Sequence, residues 1–153
     1  MTVSSTFRQL ETRKQQRILA AALTEFANEG YAGASVNTIV KKVGISKGSL
    51  FNYFADKHGL FSFVFEQALE LVKAYLRRVR DDTASEDLFT RLEQSLLAGV
   101  AFIRSNPRVY KIYLRVVYES GLPDRNGLIK SLRGMSIKYL TEFLEVAKER
   151  GEI

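Results

Sequence analysis

The chain has 153 residues, 46% of them apolar, with a formal net charge of +6 and no cysteine. That length suits one domain, or two small helical subdomains that share a core. It excludes a disulfide framework and a cysteine-based metal site, and the excess of cations suits a polyanionic partner. No continuous apolar run opens the chain as a signal peptide would, and the greasiest segment, Leu60 to Leu76, carries Glu66, Glu70 and Lys73, so no membrane span is expected. These features suit a cytoplasmic protein.

Residues 1–10 are mostly polar, with an isolated aromatic at Phe7, and are expected to form a mobile arm. A first helix is predicted from Glu11 to Glu29, because Ile18, Leu19, Ala22, Leu23 and Phe26 recur at steps of three and four. Arg13, Lys14 and Arg17 cluster at its start, either as a solvated face or as phosphate contacts. Gly30 is expected to end it, with Tyr31 to Ala34 as the connecting turn.

The next stretch, Ser35 to Lys57, has the most pronounced local pattern in the chain. Val36, Ile39, Val40 and Val43 share a helical face, and Ser35 precedes them as an N-cap. Gly44 suits a left-handed stop. Ser46 then caps a second short helix whose apolar face is Leu50 and Phe54. Two short helices joined by a glycine turn form a helix-turn-helix, which can lay its second helix in the major groove of DNA. Residues 1–60 hold eight Lys/Arg against four Asp/Glu, so +4 of the +6 net charge lies in this part.

A long helix is predicted from Ala55 or Asp56 to about Arg80, with a broad stripe from Leu60 through Phe65 and Val72 to Leu76. Lys57 in its first turn opposes the helix dipole, a cost that a nearby phosphate would offset. Thr83 or Ser85 is expected to cap the next helix, from about Glu86 to Ser105, with Leu88, Leu92, Leu96, Val100 and Ile103 on one stripe. Pro107 suits the first turn of a helix reaching Ser120. A last amphipathic helix is expected from Asp124 or Asn126 to Arg150. No strand-like alternation persists, so the expected fold is all-α. Gly151 reads as a C-cap with a further element to follow.

The run Lys47-Gly48-Ser49-Leu50-Phe51-Asn52-Tyr53-Phe54, followed by Asp56-Lys57 and a long apolar helix, resembles the DNA-binding module of TetR-family transcriptional regulators. The resemblance covers roughly residues 12 to 65. It implies a helix-turn-helix DNA-binding domain over residues 1–56 and a helical ligand-binding and dimerisation bundle over 57–153. That bundle is shorter than is usual in the family by two helices, those that generally build the dimer interface. It also implies a homodimer when full-length, a palindromic duplex operator, and a small-molecule effector that releases the repressor. The long helix after the module would then be the lever that transmits the effector's signal.

Carried residue by residue, Ser35, Ser46, Thr38 and Lys57 would hold phosphates. Lys47 would reach a phosphate or a guanine edge. Gly48 would let the backbone approach closely. Ser49 and Asn52 would face bases, and Tyr53 would offer a ring to a thymine methyl and a hydroxyl to a phosphate. Phe51 replaces the tyrosine common in the family, which shifts that position toward packing or apolar contact. The aromatics Phe89, Phe102, Tyr110 and Tyr113 are candidates for the effector pocket, although plain core explains any single one of them.

An enzyme is not expected. The single histidine, His58, sits at a helix start with no cysteine or glycine-rich phosphate loop to serve it, and neither a metal nor a cofactor is implied. The rival reading is a helical ligand-binding or interaction protein that has lost DNA binding, against which Lys47-Gly48 and Tyr53 argue.

Overall fold

A computed structural model describes residues 3–153, and among these the chain is built of eight helices with no strand. They are α1 (Ser5–Arg8), α2 (Thr12–Gly33), α3 (Val36–Val43), α4 (Lys47–Phe54), α5 (Lys57–Asp82), α6 (Leu88–Ser105), α7 (Pro107–Tyr118) and α8 (Arg125–Glu149). No helix is long and apolar enough to cross a membrane, among the described residues.

The chain divides into two compact units. The first comprises residues 1–68 and 108–125; the second comprises residues 69–107 and 126–153. α5 therefore gives its first half to one unit and its second half to the other.

The core of the first unit is aromatic. Phe61 is fully buried, its ring edge-on to Phe26 at 5.1 Å and to Tyr31 at 5.6 Å. Ile18, Ile39, Leu50, Leu60, Val64, Ile112 and Val116 of the same unit are fully buried as well, so α2, α3, α4, α5 and α7 all contribute to its core. Burial of this kind stabilises by about 1.5–3 kcal/mol per large side chain.

Two expectations fail here for identifiable reasons. Residues 3–10 are not a free arm: Ser4 caps α1, its backbone N–H donates to the Tyr53 carbonyl at 3.1 Å, and Phe7 is 3% exposed. The Phe7 ring sits 4.8 Å from Phe54, 5.2 Å from Phe63 and 5.8 Å from Tyr53, so the isolated aromatic closes a four-ring cluster. The cap of α6 is Asp87, not Ser85 or Thr83; its carboxylate accepts from the amides of Phe89 and Thr90.

In the second unit, α6 and α8 are joined at their ends. The Leu88 amide donates to Glu152 at 2.6 Å, and Arg150 donates to the Glu86 carbonyl at 3.0 Å. Arg80 pairs with Glu142 at 2.7 Å. The buried guanidinium of Arg91 lies 4.3 Å above the Phe143 ring, and Ser95 bonds the Tyr139 hydroxyl at 3.0 Å. Burial raises the pKa of that tyrosine, against the lowering effect of the Ser95 bond.

Candidate nucleic-acid interface

The helix-turn-helix is fixed by local chemistry. The Ser35 hydroxyl accepts from the Thr38 amide at 3.2 Å, and Glu25 of α2 accepts from the Ser35 amide at 3.0 Å. α3 stops at Gly44, whose φ of 79° is left-handed; its amide donates to the Val40 carbonyl at 2.9 Å. Arg17 of α2 donates to the Val43 carbonyl at 2.8 Å, which satisfies the end of α3 with a charge of the favourable sign. Arg17 thus has a structural task that a charge count does not reveal. Lys41 and Lys42 stand exposed in the last turn of α3, where cations suit the dipole.

α4 begins at Ser46, whose hydroxyl accepts from the Ser49 amide at 3.0 Å and meets the Ser49 hydroxyl at 2.8 Å. Leu50, Tyr53 and Phe54 are buried, which anchors one face of α4 against the core. The opposite face carries the exposed residues Lys47, Gly48 and Asn52, flanked by the half-buried Ser49 and Phe51. The Lys47 ammonium lies 5.9 Å over the Phe51 ring. Beyond α4, Ala55 takes φ 51° and ψ −56° in a tight γ-turn closed by the Asp56 amide on the Phe54 carbonyl. Asp56 then accepts from the Gly59 amide at 2.7 Å and so caps α5, offsetting the cost of Lys57 in the first turn.

Gly48 has no steric reason to be glycine in the isolated chain. A Cβ built there finds no neighbour nearer than the Ser46 hydroxyl oxygen, at 3.9 Å. The space in front of it is open.

Tyr53 is buried, unlike Lys47, Gly48 and Asn52. It is 7% exposed, with its ring 5.8 Å from that of Phe7. The burial follows from α1, which the sequence pattern did not reveal. Lys57 is half-buried and already engaged, donating to the Ala32 carbonyl at 3.3 Å and lying 5.1 Å over the Tyr31 ring. Tyr31 has a pKa raised by burial and, secondarily, by Asp56. Ser35 and Thr38 lie at the start of α3, Ser35 half-buried and Thr38 exposed.

The four candidate effector aromatics have separate surroundings. Phe102 packs on Tyr75 at 5.0 Å, and Tyr110 stacks on Tyr113 at 5.9 Å. Phe89 is 75% exposed on a shallow hollow formed with Leu92, Leu96 and Leu97. A second hollow of the same unit, about 600 Å³, lies between α5 and α8; Leu69, Leu76, Met135 and Tyr139 line it together with the charged residues Glu70, Lys73, Arg77, Arg80, Lys138 and Glu142.

A capped helix, a left-handed glycine and a second capped helix with one polar, uncovered face define a helix-turn-helix protein. Residues 18–63 match the family model described as bacterial regulatory proteins, tetR family. Residues 18–63 thus carry the DNA-binding module of the TetR family.

Its relatives agree. A probable acrEF/envCD operon repressor of Escherichia coli K12 is 24% identical over 148 residues, which cover 93% of this chain and 64% of that protein. The transcriptional regulator RutR of the same organism is 37% identical over 71 residues, covering 46% of this chain and 34% of RutR. A TetR-family regulator of Chloroflexus aurantiacus, known from its crystal structure, is 30% identical with a TM-score of 0.74; the match covers 95% of this chain and 66% of that one. The chain thus spans less than two thirds of the length of these curated relatives.

Proposed function

We propose that the protein is a sequence-specific DNA-binding transcriptional regulator, a repressor that leaves its operator when a small molecule binds. One observation carries this reading: the uncovered face of α4, where Lys47, Gly48 and Asn52 stand exposed on a helix anchored from behind by Leu50, Tyr53 and Phe54. A helix held so rigidly, with its polar N-terminal residues free, is built to enter a groove. The open space before Gly48 admits a phosphate backbone.

In this reading residues 1–56 form the DNA-binding part and residues 57–153 the regulatory part. Lys47 meets a guanine edge or phosphate, and Asn52 an adenine. Ser49 and Phe51 flank them against the bases, while Ser35, Thr38, Ser46 and Lys57 hold phosphates. Tyr53 contributes at most its hydroxyl. The effector sits in the hollow between α5 and α8, whose mixed apolar and charged lining suits a small amphipathic ligand better than the aliphatic hollow beside Phe89. A homodimer in the cytoplasm would read a palindromic duplex site. The aliphatic residues left exposed on α6 and α8 support such an assembly.

The test is selection from a pool of random duplexes, followed by titration at several salt concentrations. An enriched inverted repeat with half-sites about one helical turn or a multiple apart is the expected result. Lys47→Ala should lower affinity about tenfold and reduce the salt slope by about one, with an unchanged melting temperature. A folded protein that enriches no sequence and shows no salt-dependent affinity would overturn the proposal in favour of a helical ligand-binding protein.

A further inference from the structure

α2 is interrupted at Gly30, where φ is 74° and ψ is −179°. A break at this point removes two hydrogen bonds that a continuous helix would make, from the Tyr31 amide to the Ala27 carbonyl and from the Ala32 amide to the Asn28 carbonyl. Both halves of both bonds are replaced by two side chains from α7 and its end. Glu119 accepts through Oε1 from the Tyr31 amide at 2.8 Å and from the Ala32 amide at 3.2 Å. Arg115 donates to the Ala27 carbonyl at 3.3 Å and to the Asn28 carbonyl at 2.8 Å.

The fit is specific to glycine. A Cβ at position 30 would lie 2.7 Å from Glu119 Oε2, and the positive φ disfavours any other residue independently. One turn and two turns earlier on α7, Lys111 reaches the Asn28 side chain at 3.2 Å and Arg108 the Thr24 hydroxyl at 2.8 Å. A single face of α7, stepping by three and four residues, is therefore given over to α2.

We infer that Arg115 and Glu119 are positioning residues of the DNA-binding module. They splice α7 into the hydrogen-bond ladder of α2 and make α7 a second handle, besides α5, on the helices that read DNA. This rests on the function proposed above.

The chemistry supports a handle as well as a brace. α7 is joined in sequence to α6 on one side and α8 on the other, both of which belong by packing to the second unit. The splice is also imperfect, because Glu119 Oε2 is buried without a partner. A buried, unsatisfied carboxylate oxygen carries a cost that an ordinary helix bond does not, so this joint is easier to open than the helix it interrupts. α2 in turn holds α3 through Arg17 on the Val43 carbonyl and Glu25 on the Ser35 amide. A shift of α7 is passed to α2, and from α2 to the two helices of the reading head.

The test compares wild type, Glu119→Ala, Glu119→Gln and Arg115→Gln. Each is measured for hydrogen exchange at the Tyr31 and Ala32 amides, for affinity to the selected operator and for affinity to a random duplex. Glu119→Ala should speed exchange at both amides and lower the ratio of specific to random affinity about tenfold, within the usual range of coupling between sites. The salt slope should not change, because no phosphate contact is lost. Glu119→Gln keeps an acceptor oxygen and should stay near wild type. Arg115→Gln should lower the ratio as Glu119→Ala does, and it serves if Glu119→Ala does not fold. A merely bracing role would lower both affinities together, in step with the folded fraction. Faster exchange with an unchanged ratio in a protein whose wild type binds its operator would overturn the inference. A wild type that binds no duplex would instead overturn the function on which it rests.

Discussion

The two units bury their apolar residues to very different degrees. In the second unit the buried apolar residues are Leu88, Phe102, Leu128, Phe143 and Ala147, while Leu71, Leu96, Leu97, Val100, Ile137, Leu140 and Leu144 stand exposed beside Phe89. In the first unit the exposed large apolar residues are Tyr110, Tyr113 and Tyr118, each with a hydroxyl that water can satisfy. The first unit closes its own core, whereas the second presents aliphatic stripes that call for a cover. A reading head must keep one geometry to be specific. A regulatory region can leave faces open for association.

The largest expected effect tests this difference directly. Phe61→Ala removes a fully buried ring that touches Phe26 and Tyr31, and should cost about 3–5 kcal/mol. Leu96→Ala, at a position 74% exposed, should stay within about 0.5 kcal/mol when the protein is dilute enough to be monomeric. Both are read from denaturant midpoints. A loss at Leu96 comparable to that at Phe61 under those conditions would mean that the stripe on α6 is covered within one chain, and the contrast would fail.

Gly30→Ala comes next. It combines a φ of 74° with the collision against Glu119, and should destabilise by about 1–3 kcal/mol. Adding Glu119→Ala should recover the part due to the collision but not the part due to φ. If the two changes were simply additive, the contact between position 30 and Glu119 would carry no energy.

The contrast between the units also explains what could be read in advance. The helix-turn-helix was legible because its signals are local: Ser35, Gly44 and Ser46 act on amides or carbonyls three or four residues away, and the apolar residues between them follow one period. The candidate face of α4 followed from the same short stretch. The failures all involve distant partners. Phe7 looked idle because its companions Tyr53, Phe54 and Phe63 lie more than forty residues along the chain. Glu119 carries no signal of its own, since its partners are the amides of Tyr31 and Ala32. Among Thr83, Ser85 and Asp87, all residue types that cap helices, the choice of Asp87 goes with the anchoring of the Leu88 amide by Glu152. Periodicity marked the stripe on α6 correctly as apolar, but a period says nothing about what covers a face.

Gly48→Ala should have an effect of opposite sign to Gly30→Ala. Its site is helical and open, so the isolated protein should gain about 1 kcal/mol. Operator affinity should nevertheless fall, because the added methyl fills the space through which a backbone would approach. A variant that is more stable and binds as tightly as wild type would show that this face does not meet DNA.

The smallest effect separates the caps of the two units by pH. Ser46 caps α4 with a neutral hydroxyl, and Ser46→Ala should cost about 1 kcal/mol at any pH between 3 and 8. Asp87 caps α6 with a carboxylate whose pKa is lowered, first by the Thr90 hydroxyl and then by the Thr90 and Phe89 amides. A depressed folded-state pKa contributes stability that is fully present above the ordinary aspartate value and is lost as pH falls through the lowered one. The difference in stability between wild type and Asp87→Ala should therefore shrink on acidification below that range, while the difference for Ser46→Ala stays flat. A flat profile at Asp87 would mean that the carboxylate's hydrogen bonds do not favour its charged form, and that α6 is held instead by the bond from its Leu88 amide to Glu152.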